Sequence, residues 1–247
     1  MKDLLRRVLP KAVLERYRQF LREREQRRNE RQSTEAVFTD VYRLNKWGGT
    51  SGEFFSGTGT ANDAVASAYV RMVTEKATEL GFLGKAFVDL GCGDFRIGAR
   101  LLPLCARYTG VDIVKPVIEF NKAHHGTATT RFEHMNIVEE RLPAGDVCFV
   151  RQVFQHLSNV QIAAVLRKLT AFRWVFITEH YPADNEAIRP NLDKVHGAGI
   201  RAYDNSGVYL TAPPFSLPAD AVHLVLEVVG DQSEPGVIRT FLYTPKG

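Results

Sequence analysis

The chain has 247 residues, 45% of them hydrophobic and 24% charged, with a net charge of +4. That is enough to bury the core of one α/β domain with appendages and excludes a disordered chain, and no apolar run approaches the ~18 residues that a bilayer span requires. Cys92, Cys105 and Cys148 have neither disulfide nor metal spacing, which predicts a reduced, cytoplasmic setting.

The charge is unevenly placed. Residues 1–32 carry eleven Lys/Arg against five Asp/Glu, and the remainder carries 21 against 23. Leu5, Val8, Leu9, Val13, Leu14, Tyr17, Phe20 and Leu21 recur at helical spacing in that segment, with a break or kink expected at Pro10. Residues 1–35 therefore form a basic helical extension. It suits a peripheral anchor on anionic lipid at the inner face of a membrane or a docking helix for a protein partner. It equally suits a solvated helix packed on its own domain or on a second copy. Arg6, Arg7, Pro10 and Lys11 interrupt the short apolar stretch, so a signal peptide is not expected. Glu23, Glu25 and Glu30 dilute the basic charge and no recognition motif follows, so no nucleic acid is expected as a partner.

Residues 36–60 are rich in Gly, Ser and Thr with aromatics between them and read as a flap or a fixed cover. Residues 61–247 alternate between helices and strands. A helical pattern over 61–80 precedes a strand at 86–90 that runs into glycines, then a helix over 97–104. Strands follow at 108–112 (with a helix through about 123), 131–137, 146–151 and 174–178. Ser158 and Gln161 form a capping box ahead of a helix through about 169. The last apolar runs, 222–229 and 237–243, are too close for a crossover helix and must pair antiparallel. The pattern predicts a Rossmann-like α/β fold: a seven-stranded, mostly parallel sheet closed by a C-terminal antiparallel hairpin.

The densest signal is Phe87-Val88-Asp89-Leu90-Gly91-Cys92-Gly93-Asp94-Phe95. A strand entering glycines lets the backbone approach a ligand at the carboxyl edge of the sheet. The sixth position from Gly91 is Arg96, so the dinucleotide fingerprint is incomplete. Asp89 at the strand tip suits a cationic ammonium group and would repel a pyrophosphate. Asp112, 23 residues further on, is placed to accept hydrogen bonds from ribose hydroxyls or to cap the helix beginning near Pro116.

DLGCGDF, YTGVDIV and DVCFVRQVFQHLS resemble class I methyltransferases dependent on S-adenosylmethionine (SAM) over about residues 62–180, and the closing hairpin extends the match. The resemblance implies SAM as cofactor. It places Asp89, Gly91, Cys92 and Gly93 along the methionine portion, Asp112 and Ile113 at the ribose, Asn136 and Ile137 beside the adenine, and Arg151 and Gln152 facing the sulfonium. Two departures stand out: Phe95 replaces a motif glycine, and Asn136 replaces an acid. FTDVY, NKWGG and SGTGT, with Ile200-Arg201 and Asn205-Ser206-Gly207, are similar to a narrower bacterial group that accompanies glycan biosynthesis enzymes. That similarity implies a sugar or polysaccharide-precursor acceptor.

Direct displacement at a sulfonium demands alignment and exclusion of water, and an alcohol acceptor gains from a general base. His156, just past the fourth strand, is the first candidate, with Glu179 and His180 after the fifth as alternatives. Trp47, Arg201 and Asn205 are candidate acceptor-binding residues. The polar stretch 181–218, which also holds Asp184, Asn185, Arg189, Asn191, His196 and Asp204, is the acceptor-side insertion. No cluster suggests a metal, since His124 and His125 are adjacent and do not share a helix face. The functions open at this point are a sugar or glycan O-methyltransferase, an O- or N-methyltransferase of another small metabolite, and a non-catalytic SAM-binding partner subunit.

Overall fold

The computed structural model describes residues 11–50, 53–184, 187–229 and 236–245. The sequence readings at Leu5, Val8, Leu9, Pro10 and Asn185 lie outside the described residues. Helix α1 (Lys11–Asn29) and α2 (Thr34–Arg43) precede a single turn at Thr58–Ala61 and α3 (Asp63–Leu80). The α/β body then runs β1 (Lys85–Leu90), α4 (Arg96–Leu101), β2 (Cys105–Asp112), α5 (Lys115–His125), β3 (Thr130–His134), β4 (Val147–Arg151), α6 (Asn159–Leu169), β5 (Trp174–Tyr181), β6 (Val222–Val229) and β7 (Val237–Tyr243).

One seven-stranded sheet has the order β3-β2-β1-β4-β5-β7-β6. β1 to β5 pair in parallel, and β7 lies antiparallel between β5 and β6, as the short link between the last two runs requires. Period-two alternation divides the core. Val88 and Leu90 of β1 and Cys148 and Val150 of β4 pack on one side with Ile162, Val165 and Leu169 of α6. Phe87, Phe149, Phe176 and Trp174 pack on the other with Tyr69, Val73 and Ala77 of α3.

Local signals act where the sequence puts them. Asn62 caps α3 by accepting from the N–H groups of Ala64 and Val65, and Gly81 closes it in the left-handed region. Ser158 and Gln161 form the expected reciprocal box on α6.

Several boundaries differ from expectation, three of them near the cavity or the sheet edge. β3 ends at His134, because the Met135 N–H donates to the Asp112 carbonyl and the Asn136 side chain takes the Val138 N–H, opening a turn. β5 runs on to Tyr181, because Glu179, His180 and Tyr181 pair with Arg239, Ile238 and Val237 of β7. Glu179 and His180 are thus within the strand rather than after it. The division expected at residue 35 falls inside α2, which Ser33 caps.

Candidate functional site

A cavity of about 590 Å³ lies where β1, β2 and β4 end. Side-chain alternation decides what reaches it. On the α3 side of the sheet, Asp89 follows Phe87, Asp112 follows Tyr108 and Gly110, and Arg151 follows Val147 and Phe149. All three charged residues line the cavity, so one face carries two carboxylates and a guanidinium within a few residues of the strand ends.

Asp89 is 7% exposed and accepts the Tyr108 hydroxyl on Oδ2 at 2.5 Å. Burial pushes its pKa up to about 6, against the lowering by Tyr108 and Arg151. Asp112 accepts the Gly93 N–H at 3.1 Å on Oδ2 and the Val114 N–H at 2.9 Å on Oδ1. Burial raises its pKa as well, opposed by those N–H groups. A carboxylate has about four lone-pair sites, so each oxygen keeps room for a further donor. Arg151 donates to the Gly59 carbonyl at 2.7 Å and to Thr60 Oγ1 and Gln152 Oε1 at 3.1 Å, and lies over the Tyr69 ring.

The glycine turn is built for close approach. Gly91 and Gly93 have φ of 77° and 52°. A Cβ on Gly91 would meet Val153 Cγ2 at 2.5 Å, and one on Gly93 would meet Ser56 Oγ at 2.3 Å. Phe95, where the family has a glycine, also adopts positive φ, and its ring packs edge-on to Phe132 and Tyr108. The departure therefore fills core space and leaves the cavity wall intact.

Residues 36–60 close over this turn. The Ser56 N–H donates to Asp94 Oδ2 at 3.1 Å, and the Asp94 N–H donates to Ser56 Oγ at 2.8 Å. Tyr42 and Ser56 share a hydrogen bond of 2.9 Å. Trp47 lines the cavity and donates its Nε1–H to the Ala198 carbonyl at 3.1 Å. Cys92, Ile113, Asn136, Ile137 and Gln152 line the cavity too. Asn136 and Ile137 sit in a turn held by Lys168, whose ammonium donates to the carbonyls of Ile137, Val138 and Glu140.

Of the three base candidates, His156 alone lines the cavity. Its Nδ1 contacts the Gly197 carbonyl at 3.2 Å and its Nε2 the Gln155 amide nitrogen at 3.3 Å. A carbonyl can only accept, so Nδ1 carries the proton and Nε2 accepts from the amide. Burial, with Lys194 second, lowers its pKa to about 3. Glu179 is fully buried and accepts the N–H groups of Val153, Phe154 and Gln155 at 2.8–3.3 Å. Burial pushes its pKa to about 8. It shapes the turn after β4 from behind, and His180 is buried beside it in β5.

Arg201 and Asn205 are not on the cavity wall. The Arg201 guanidinium donates to the carbonyls of Leu157 and Leu192, tying the 181–218 segment to the turn before α6. Asn205 caps a short 3-10 turn in the left-handed region. The wall also includes residues not singled out as site candidates: Tyr42, Ser56, Tyr69, Asp94, Tyr203, and Glu25 with Lys46, an ion pair at 2.5 Å between α1 and the loop after α2. Tyr42, Lys46, Ser56 and Asp94 lie inside the FTDVY, NKWGG, SGTGT and DLGCGDF stretches, whereas Glu25, Tyr69 and Tyr203 carried no signal.

A family model described as a methyltransferase domain matches residues 88–170, which hold the glycine turn, Asp112 and the β4 tip. The chain carries a SAM-dependent methyltransferase domain. Solved methyltransferases share its fold. The N-methyltransferase NodS from Bradyrhizobium japonicum WM9, in complex with S-adenosyl-L-homocysteine (SAH), aligns at TM-score 0.54 and 12% identity over 74% of this chain and 88% of that one. The Burkholderia thailandensis 1,6-didemethyltoxoflavin-N1-methyltransferase, with its substrate and SAH, aligns at TM-score 0.56 and 16% identity over 86% and 87%. Human N-acetylserotonin methyltransferase with SAM aligns at TM-score 0.53 and 15% identity over 87% and 61%. No curated protein sequence matches the chain. At these identities the neighbours establish the class I sheet of this methyltransferase; the family match and the sheet together make SAM its cofactor.

Proposed function

We propose that this methyltransferase transfers the methyl group of SAM to a hydroxyl of a sugar or glycan precursor. The observation that carries the acceptor class is the wall beyond the cofactor end of the cavity. Trp47 and Tyr203, the Glu25–Lys46 pair and Thr34 are among the residues that line it. Aromatic faces beside charged and hydroxyl groups are what a polyhydroxylated ring needs. The similarity of NKWGG and SGTGT to a glycan-associated group supports the same reading.

The cavity chemistry fits the cofactor. At Gly91 and Gly93 a Cβ would run into Val153 and Ser56, so only glycine lets the turn keep its backbone at the cavity wall. Asp89 and Arg151, opposite charges on one face, suit the ammonium and carboxylate of the amino-acid end. Asp112 suits the ribose hydroxyls, Asn136 and Ile137 the adenine edge, and Gln152 the region of the sulfonium. SAM supplies an electrophilic methyl group: the C–O bond forms as the S–CH3 bond breaks, the hydroxyl proton leaves to solvent, and the chain's residues have to align and shield the reactants. The Ser56–Asp94 latch holds Ser56 on the turn, and the Trp47–Ala198 bond ties the NKWGG stretch to the 197–199 backbone. His156 faces the acceptor end as a neutral imidazole. With Nε2 occupied by the Gln155 amide and a pKa of about 3, it suits positioning of the 197–199 backbone better than proton transfer. In this reading the rate comes mainly from alignment.

The test is mass spectrometry of nucleotide-sugars and glycan fragments incubated with SAM, read for a gain of one methyl group. Methylation of a sugar hydroxyl supports the proposal. Methylation only of an amine or another hydroxylated metabolite overturns the glycan assignment, and SAM binding without any product would make the chain a non-catalytic SAM-binding subunit.

A further inference from the structure

The basic helix α1 has two faces with different fates. Arg22, Glu25 and Asn29, spaced i, i+3 and i+7, form one stripe. Arg22 pairs with Asp204 at 3.7 Å and Glu25 with Lys46 at 2.5 Å. Asn29 is buried and donates its Nδ2–H to the His196 carbonyl at 3.0 Å. This stripe packs α1 onto the domain.

The opposite stripe, at i, i+4, i+7, i+11 and i+14, is Val13, Tyr17, Phe20, Arg24 and Arg27. Val13, Tyr17 and Phe20 are 46%, 57% and 52% exposed, against the buried core residues elsewhere. Arg16 flanks them, and Arg16, Arg24 and Arg27 are exposed and form no ion pair among the described residues. Of the acids of α1 whose side chains are described, Glu25 faces the domain and Glu23 lies beside the stripe, where it accepts from Gln19. A surface that presents two aromatic rings and a valine among three arginines with no ion pair among the described residues resembles an interfacial helix, in which rings enter the headgroup boundary while guanidinium groups stay at the phosphates.

We propose that this outward face of α1 docks the methyltransferase on an anionic lipid surface. Charge complementarity selects that occupant. A second copy laid face to face would set arginines against arginines, whereas anionic headgroups neutralise them. The neighbouring sequence has the same character: residues 2–9 contain Lys2, Arg6 and Arg7 against Asp3, with Leu4, Leu5, Val8 and Leu9. No helix among the described residues is long and apolar enough to cross a membrane, so the contact is peripheral and reversible. The inference is independent of the acceptor.

Co-sedimentation of the full chain with phosphatidylcholine vesicles, with and without phosphatidylglycerol, tests it. The chain is expected to sediment with the anionic vesicles only, and less so at high salt, because screening weakens the arginine contacts. Tyr17→Ser with Phe20→Ser, and separately Arg16→Glu with Arg24→Glu and Arg27→Glu, should each reduce the bound fraction by roughly tenfold. SAH binding by calorimetry shows that each variant is folded. Wild-type protein that stays in the supernatant with anionic vesicles overturns the proposal. So does an outward-face variant that binds SAH and sediments like the wild type. A dimer in sedimentation velocity that the Tyr17/Phe20 variant loses, with no vesicle binding, would assign the face to a second copy instead.

Discussion

Replacing Asp112 by alanine tests the cofactor site most directly. The carboxylate accepts the Gly93 and Val114 N–H groups and, in the proposed mode, two ribose hydroxyls. A hydrogen bond to a charged acceptor contributes about 1.5–3 kcal/mol, so loss of two ribose bonds removes about 3 kcal/mol or more. That is roughly a 100-fold rise in Kd. Two N–H donors are also stranded in a buried turn, at about 1–3 kcal/mol each, so the variant should melt earlier than the wild type. Calorimetry with SAH measures the first effect and thermal unfolding the second. A folded Asp112→Ala variant whose Kd for SAH stays within about threefold of the wild type would refute the ribose assignment.

Asp89 predicts a pH dependence. Its folded pKa is about 6 against an ordinary 3.8, so between those values the folded state holds a proton that the unfolded chain has released. Stability of the cofactor-free protein should therefore fall as pH rises from about 4 to about 6, by about 3 kcal/mol in all, and level off above. Asp89→Asn should flatten that slope in denaturant titrations, and SAM affinity should rise over the same window because an ammonium favours the carboxylate form. His156→Gln should keep turnover within about tenfold of the wild type, since a general base contributes about 10²–10⁴; a larger loss with unchanged SAH binding would restore His156 as the proton acceptor. Gly93→Ala, whose Cβ would press on Ser56 Oγ, should break the Ser56–Asp94 latch and weaken SAH binding, and calorimetry on Ser56→Ala alone shows how much of that loss the latch explains. Removal of residues 1–21 should leave turnover unchanged, whereas removal of 1–32 deletes Glu25 and the buried Asn29 and should raise the acceptor KM in steady-state kinetics.

Sequence patterns determined the sheet and the strand edge at which the cavity lies. Strand and helix periods are local properties, and so is the need for glycine where β1 turns toward a ligand. The capping box at Ser158 and the closing hairpin followed from the same short-range rules. Asp89 and Asp112 were legible as a pair because β1 and β2 are neighbours in the parallel order. The fates of other polar residues were not legible. Arg201 and a surface-loop arginine look alike in sequence, yet Arg201 is 2% exposed and bonded to the Leu192 carbonyl of its own segment and the Leu157 carbonyl 44 residues away. Glu179 resembles an acid at a strand tip, and only the extension of β5 along β7 buries it behind the turn that it holds. His156 is basic or inert according to the Gln155 amide and the Gly197 carbonyl beside it, one of which is 41 residues away. Glu25 enters the cavity wall because the far stripe of α1 packs on the domain. Local periodicity sets which face a residue occupies. Burial, hydrogen-bond partners and pKa depend on what long-range packing brings against that face, and only the tertiary structure decides them.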